Sequence, residues 1–181
     1  MINDKLNRYS VCNDRREQTV KTEAGAGAAA EKNLLLEKAV SLLNYRAHSR
    51  KELADKLKQK TGCDDADLNE VLDRLEELGF LNDRTYAASV VRSCGRKGYG
   101  AQRALSELSR RGIPKELREE ALTELPENDG TLERLIRARL RNPSDRDEIR
   151  KVSAAMVRRG FSWDEIRRAL QNVQCEIFNE E

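Results

Sequence analysis

The sequence predicts an all-α fold, an elongated tandem array of three three-helix modules, and three observations carry that reading. Apolar residues recur at helical spacing from Glu31 onward. Leu, Ala, Glu, Lys and Arg dominate while aromatics make up only 4% of the chain, a composition of helix formers. A short motif also returns: an apolar residue, basic residues, then glycine. It reads Leu57-Lys58-Gln59-Lys60-Thr61-Gly62, Leu108-Ser109-Arg110-Arg111-Gly112-Ile113 and Met156-Val157-Arg158-Arg159-Gly160-Phe161, with the glycines 50 and 48 residues apart. Units of that length cannot bury a face alone and must stack on their neighbours.

The elements follow in order. Residues 1–30 are polar and end in the run Ala24-Gly25-Ala26-Gly27-Ala28-Ala29-Ala30, so they read as a flexible N-terminal tail with helix only toward its end. The run matches a degenerate G-x-G-x-x-A pattern, but no hydrophobic strand precedes it, which argues against a dinucleotide site. Module 1 (31–83) has helices expected near 31–47, 49–60 and 65–78. Module 2 (84–129) has them near 84–97, 100–111 and 114–125, and module 3 (130–181) near 130–142, 145–159 and 162–174. Ser49-Arg50-Lys51-Glu52 and Ser162-Trp163-Asp164-Glu165 read as capping boxes, and Pro114 suits a first helical position. Gly62, Gly79, Gly112 and Gly160 stand where left-handed helix ends are needed, and Pro126 and Pro143 interrupt the helical ladder.

Several function classes find no support. The N-terminus carries Asp4, Lys5, Arg8, Asp14, Arg15 and Arg16 instead of an apolar leader, and no segment approaches a membrane span, so a cytoplasmic protein without membrane contact is expected. Cys12, Cys63, Cys94 and Cys175 are scattered with no C-x-x-C pair, so they read as reduced packing residues. The single histidine, His48, lies beside a helix cap with no nucleophile or metal-ligand set, and reads as a turn residue. Trp163 reads as a core anchor in the first turn of the last helix. No catalytic, cofactor or metal site is expected, and the chain reads as a non-enzyme.

Charge carries more information. Net charge is only +2, yet residues 31–60 sum to +4, 64–83 to −7, 84–112 to +6, 113–130 to −4, 131–160 to +5 and 161–181 to −3. Such alternation arises either from solvated helix faces that pair with each other or from basic patches at regular intervals, which suit a periodic partner such as a phosphate backbone or a protein polymer. Module 2 is densest, with Arg92, Arg96, Lys97, Arg103, Arg110 and Arg111. With Arg158 and Arg159 of module 3, these are the candidate partner- and DNA-binding residues. Gly98-Tyr99-Gly100 either lets a partner approach a helix N-terminus or simply turns the chain.

Four further segments stand in a fixed order: Leu42 to Leu53 (with Arg46, Ser49 and Glu52-Leu53), Gly79-Phe80-Leu81-Asn82-Asp83-Arg84-Thr85-Tyr86-Ala87, Arg96 to Gly100 followed by Glu107 to Ile113, and Arg158-Arg159-Gly160-Phe161-Ser162. In that order and spacing they resemble the RecX family of recombination regulators. The resemblance spans about Leu34 to Leu170. Asn82 replaces the first of a usual acidic pair, and the tail before Glu31 has no counterpart. The resemblance implies a monomeric helical protein that lies along the groove of a RecA recombinase filament on DNA and restrains filament growth, ATP hydrolysis, strand exchange and co-protease activity. Contact with single- and double-stranded DNA would be weak and electrostatic. A helix-turn-helix DNA-binding regulator is the alternative, although three similarly charged units are unlike one recognition helix per half-site.

Overall fold

The computed structural model describes the backbone of residues 23–126 and 130–179, and the side chains of 31–126 and 130–177. The chain divides into Met1–Glu31 and Lys32–Glu181. In the first unit only the helical backbone from Glu23 is described, so residues 1–22 of the tail expected for 1–30, with Cys12, lie outside the described residues. All packing below concerns the second unit.

Among the described residues the regular structure is helical. The order is α1 (Glu23–Tyr45), α2 (Arg50–Thr61), α3 (Asp65–Glu77), α4 (Asp83–Arg96), α5 (Ala101–Arg110), α6 (Lys115–Ala121) with a 3₁₀ turn at Leu122–Glu124, α7 (Thr131–Arg137), α8 (Arg146–Arg158) and α9 (Trp163–Asn179). Three boundaries differ most from expectation, and one of them is the end of α9, which runs to Asn179 rather than near 174. Helix α1 begins at Glu23 rather than near residue 31, because alanine has the highest helix propensity and five alanines outweigh two glycines. Helix α7 stops at Arg137 rather than near 142. There the Glu148 carboxylate accepts the amides of Arg141 and Asn142 at 2.9 and 2.8 Å, drawing the chain off the helical ladder just before Pro143. Pro114 caps α6 one position earlier than its expected first-turn place.

Both capping boxes form. Ser49 Oγ accepts the Glu52 amide at 3.1 Å while the Glu52 carboxylate accepts the Ser49 amide at 3.4 Å. Ser162 and Glu165 repeat the exchange at 3.3 and 2.7 Å. Each box is worth about 1 kcal/mol.

Three separate cores fill the three modules. Leu53 and Leu57 of α2 meet Leu72 and Leu75 of α3 and Leu35 of α1. Val91 of α4 meets Ala104 and Leu108 of α5 and Ala121 of α6. Ile136 of α7, Met156 of α8 and Ile166 and Val173 of α9 form the third. Phe161 joins that third core, but Trp163 does not: it is 60% exposed. The expected core anchor is therefore corrected. Phe161, just before the Ser162 cap, and Ile166, in the turn above it, take the two inward positions that staple a helix start, which leaves Trp163 pointing outward. Of the cysteines, Cys94 is buried and Cys63 packs on the first core, whereas Cys175 is exposed and is no packing residue.

The modules are joined through their second helices, the N-terminus of one meeting the C-terminus of the next. At the start of α5, the amides of Gly100 and Gln102 donate to the carbonyls of Arg159 and Gly160 at the end of α8, both at 3.0 Å. At the start of α2, Ser49 Oγ donates to the Arg111 carbonyl at the end of α5 at 2.5 Å. Each joint satisfies carbonyls that a helix end leaves orphaned, and it sets the positive end of one helix dipole against the negative end of the next. Close approach needs glycine. A β-carbon on Gly100 would lie 2.4 Å from the Gly160 carbonyl oxygen, and one on Gly160 would lie 2.3 Å from the Arg103 nitrogen. The series stops at both ends. A β-carbon on Gly62, closing α2, would meet nothing within 4 Å, while α8 caps itself, Asp145 accepting the amides of Asp147 and Glu148 at 2.8 and 3.3 Å.

His48 sits against the first joint, only 2% exposed. Its Nδ1–H donates to the Arg46 carbonyl and its Nε2 accepts from Lys56 Nζ, both at 2.8 Å. Burial, and then the Arg46 and Lys56 cations, lower its pKa below the ordinary 6.5, against the pull of the Arg46 carbonyl.

Both the tight joint and the buried histidine are open to measurement. Gly100→Ala, at a φ of −82° that any residue adopts, should destabilise by about 1–3 kcal/mol through crowding alone, measured by urea denaturation; a change under about 0.5 kcal/mol would contradict the tight joint. Because the folded chain holds His48 below its unfolded pKa, its contribution is full above pH 6.5 and is lost as pH falls from there through the folded value. His48→Asn should therefore have a flatter stability profile than wild type between pH 6.5 and about 5, above the range where ordinary carboxylates titrate; parallel profiles would assign that loss elsewhere.

Candidate functional site

The basic residues singled out in the sequence separate into three groups. Arg92 faces the acidic third helix of its own module, pairing with Glu124 at 2.8 Å, as Arg84 pairs with Glu120 at 3.0 Å. Module 1 repeats this, with Arg50 bound to Asp73 and Glu76 at 2.6 and 2.8 Å, and in module 3 Arg137 pairs with Glu176. Much of the charge alternation is thus neutralised inside each module.

The second group holds the joints. Arg111 is half-buried, donates to the Glu107 carboxylate at 2.7 and 3.0 Å and to the Tyr86 hydroxyl, and stacks over the Tyr86 ring at 5.7 Å. Tyr86 in turn donates to Glu52 of module 1 at 2.7 Å. Arg159 has the equivalent role at the next joint, donating to the carbonyls of Gly98 and Lys97 at 3.1 and 3.3 Å and stacking over Tyr99. Hydrogen bonds from Arg110 and Arg111 hold the Glu107 carboxyl below its ordinary pKa. At Glu52 burial pushes the pKa up, but the Tyr86 hydroxyl, the Ser49 amide and nearby Arg46 and Arg111 bring it below the ordinary value.

The third group faces solvent: Arg96, Lys97, Arg103, Arg110 and Arg158. In each basic pair, then, the second arginine is structural and the first is displayed. Lys97, Arg103, Arg110 and Arg111 converge on one hollow of about 420 Å³ between modules 1 and 2, whereas Arg96 lines a separate cavity of about 270 Å³ with Arg134, Leu125 and Phe161. Arg158 lines neither. The first hollow also takes in Arg46, from the turn before Ser49, which charge density alone did not single out. Its signal lay in the Tyr45-Arg46-Ala47-His48-Ser49 segment, where an arginine closely precedes a helix cap.

The described residues include no group of three or more His, Cys, Asp or Glu side chains able to hold a metal ion, and no helix among them is long and apolar enough to cross a membrane.

Comparison with known proteins matches each module separately. Residues 36–75 match the family model "RecX, first three-helix domain", residues 82–122 the second and residues 130–170 the third. The chain is 34% identical over 151 residues to the regulatory protein RecX of Halorhodospira halophila, covering 82% of this chain and 91% of that one. It is 33% identical over 140 residues to the regulatory protein RecX of Prosthecochloris aestuarii, covering 76% and 92%. Among solved structures it resembles the crystal structure of RecX from Lactobacillus salivarius with a TM-score of 0.73 and 27% identity, over 81% of this chain and 99% of that one.

The split within the basic pairs sets a stability test. Arg111→Ala should cost about 1–2 kcal/mol, since it removes a half-buried guanidinium that ties Glu107 to the Tyr86 hydroxyl and ring and leaves Glu107 only the exposed Arg110, while Arg110→Ala, exposed on the same turn, should cost under about 0.5 kcal/mol in the same urea titration. Equal losses would contradict the division into structural and displayed arginines.

Proposed function

This chain belongs to the RecX family, and from that premise we propose that it is a non-enzymatic regulator that binds the RecA recombinase filament on DNA and restrains its growth, ATP hydrolysis, strand exchange and co-protease activity. The observation that carries the reading is the repeated joint. It sets successive modules in equivalent contact, so Arg110 and Arg158 are displayed at equivalent points of consecutive units. A ligand with cations at regular intervals suits a polymer whose subunits present acceptors at regular intervals, and a ligand that bridges subunits biases the polymer toward whichever state it binds better. Weak electrostatic contact with single- or double-stranded DNA adds to that affinity and falls with salt. The protein acts in the cytoplasm as a monomer, without cofactor or metal.

Titration into a RecA ATPase assay on single-stranded DNA, with the cognate recombinase, tests the reading. The rate should fall as protein is added. Arg110→Ala combined with Arg158→Ala should shift the half-inhibitory concentration upward by about tenfold, or roughly 0.7 kcal/mol per displayed cation, within the range of exposed charge contacts. Glu116→Ala, an exposed acidic substitution on α6, should leave it unchanged. A rate unaffected at molar excess of protein overturns the proposal, and protection of one particular duplex sequence would favour the helix-turn-helix alternative.

A further inference from the structure

We propose that Val157 and Trp163 form an apolar anchor, peculiar to the third module, that seats in an apolar recess bordered by carboxylates on a subunit of the partner filament and so fixes the register of the array along it. The inference rests on reading the chain as a filament regulator, and it deepens that reading by naming what tells one module from the next.

The modules can be compared position by position around the glycine that ends each second helix. Gln59, Ser109 and Val157 stand three residues before Gly62, Gly112 and Gly160. Asp65, Lys115 and Trp163 stand three residues after those glycines, each opening the third helix of its module. All six are exposed. In modules 1 and 2 both positions are polar, as contact with water favours, so the fold does not call for an apolar residue at either. In module 3 both are apolar, with Val157 38% and Trp163 60% exposed. One exposed apolar residue is ordinary. Two of them at the same corner between α8 and α9, at positions that are polar in the sister modules, mark a surface that a partner covers.

The charge around the corner names the occupant. Arg158 lies between the two in sequence, is exposed, and has no carboxylate partner among the described residues. Arg167 of α9 reaches Asp164 only at 3.5 Å, and the Glu165 carboxylate is held by the Ser162 amide at 2.7 Å. Tryptophan and arginine around a desolvated centre are the residues that dominate contacts between proteins. A phosphate backbone offers charge but no apolar recess, and a second copy of this corner would set arginine against arginine. The occupant is therefore a protein surface with an apolar recess and carboxylates at its edge. Its effect is on register. Arg110 and Arg158, displayed at equivalent points, leave the array free to slip by one module on a periodic partner at little cost, since each cation then takes the other's place. An anchor carried by one module alone removes that freedom, because only one register seats it.

The test uses the full chain and the cognate recombinase assembled on oligothymidine with a non-hydrolysable ATP analogue. Trp163→Ala with Val157→Ser should weaken binding at least about tenfold. The loss should be the same factor at low and high KCl, whereas the loss caused by Arg158→Ala should shrink as salt screens that charge. Trp163→Phe should stay within about threefold of wild type, and Leu34→Ala, trimming an apolar residue of α1 that is 51% exposed, should change affinity less than about twofold. Carbodiimide cross-links from the chain's lysines should map to one set of recombinase carboxylates in wild type and to a second set as well in the double variant. Urea denaturation checks each fold, and if the double variant unfolds, Trp163→Gln alone carries the test. Unchanged affinity, a loss that fades with salt, or an unchanged cross-link pattern overturns the anchor while wild-type inhibition, and with it the functional reading, stands. Self-association abolished by Trp163→Ala would assign the corner to a second copy, and equal weakening on bare oligothymidine would assign it to nucleic acid; either result also overturns the anchor. A wild-type chain that does not bind the filament overturns both the functional reading and the anchor.

Discussion

The structure depends on a backbone contact between helix ends. A helix leaves four amides free at its start and four carbonyls at its finish, and both must find partners. Here the finish of one module's second helix supplies acceptors to the start of the preceding module's second helix, at Arg159 and Gly160 against Gly100 and Gln102, and at Arg111 against Ser49. Each such bond contributes only about 1 kcal/mol net. Their geometric consequence is larger, because three modules with separate cores become one chain of fixed neighbours. The arginine before each glycine is drawn into the joint, and the one before that is left outside.

That arrangement was partly legible in sequence. The helices, both Ser-Glu capping boxes and the repeat of the glycine-ended motif follow from local rules, since caps and periodicity act within a turn or two. The division of Arg110 from Arg111, and of Arg158 from Arg159, was not legible. Adjacent arginines have identical local chemistry, and only packing against Tyr86 or Tyr99 from another segment tells them apart. Trp163 failed for a related reason. Size favours its burial, but Phe161 occupies the inward position beside the cap, and a hydrophobicity pattern does not rank two aromatics two residues apart.

Charge shows the same limit. The sign does alternate along the chain, and Arg50, Arg84 and Arg92 show that much of this alternation serves to dock the first or second helix of a module onto its acidic third helix. Exposed pairs of this kind contribute little stability singly, about 0–1 kcal/mol each. What they achieve is subtraction: once they are neutralised, the displayed cations of the second module are Arg96, Lys97, Arg103 and Arg110, of which Arg110 is itself paired with Glu107. A linear tally of charge overstates the basic surface and misses Arg46, which joins it through space.

The self-capped start of α8 has a further consequence, for which end of a second helix is shared. Asp145 accepts the amides of Asp147 and Glu148, and it stands where Ser49 and Gly100 stand in the other second helices. The Ser49 hydroxyl and the Gly100 amide each carry a hydrogen to give to the carbonyl of a neighbouring helix finish, whereas an ionised carboxylate carries none and its charge opposes that carbonyl. The contact between second helices therefore has a direction within this chain: α8 offers its finish and keeps its start.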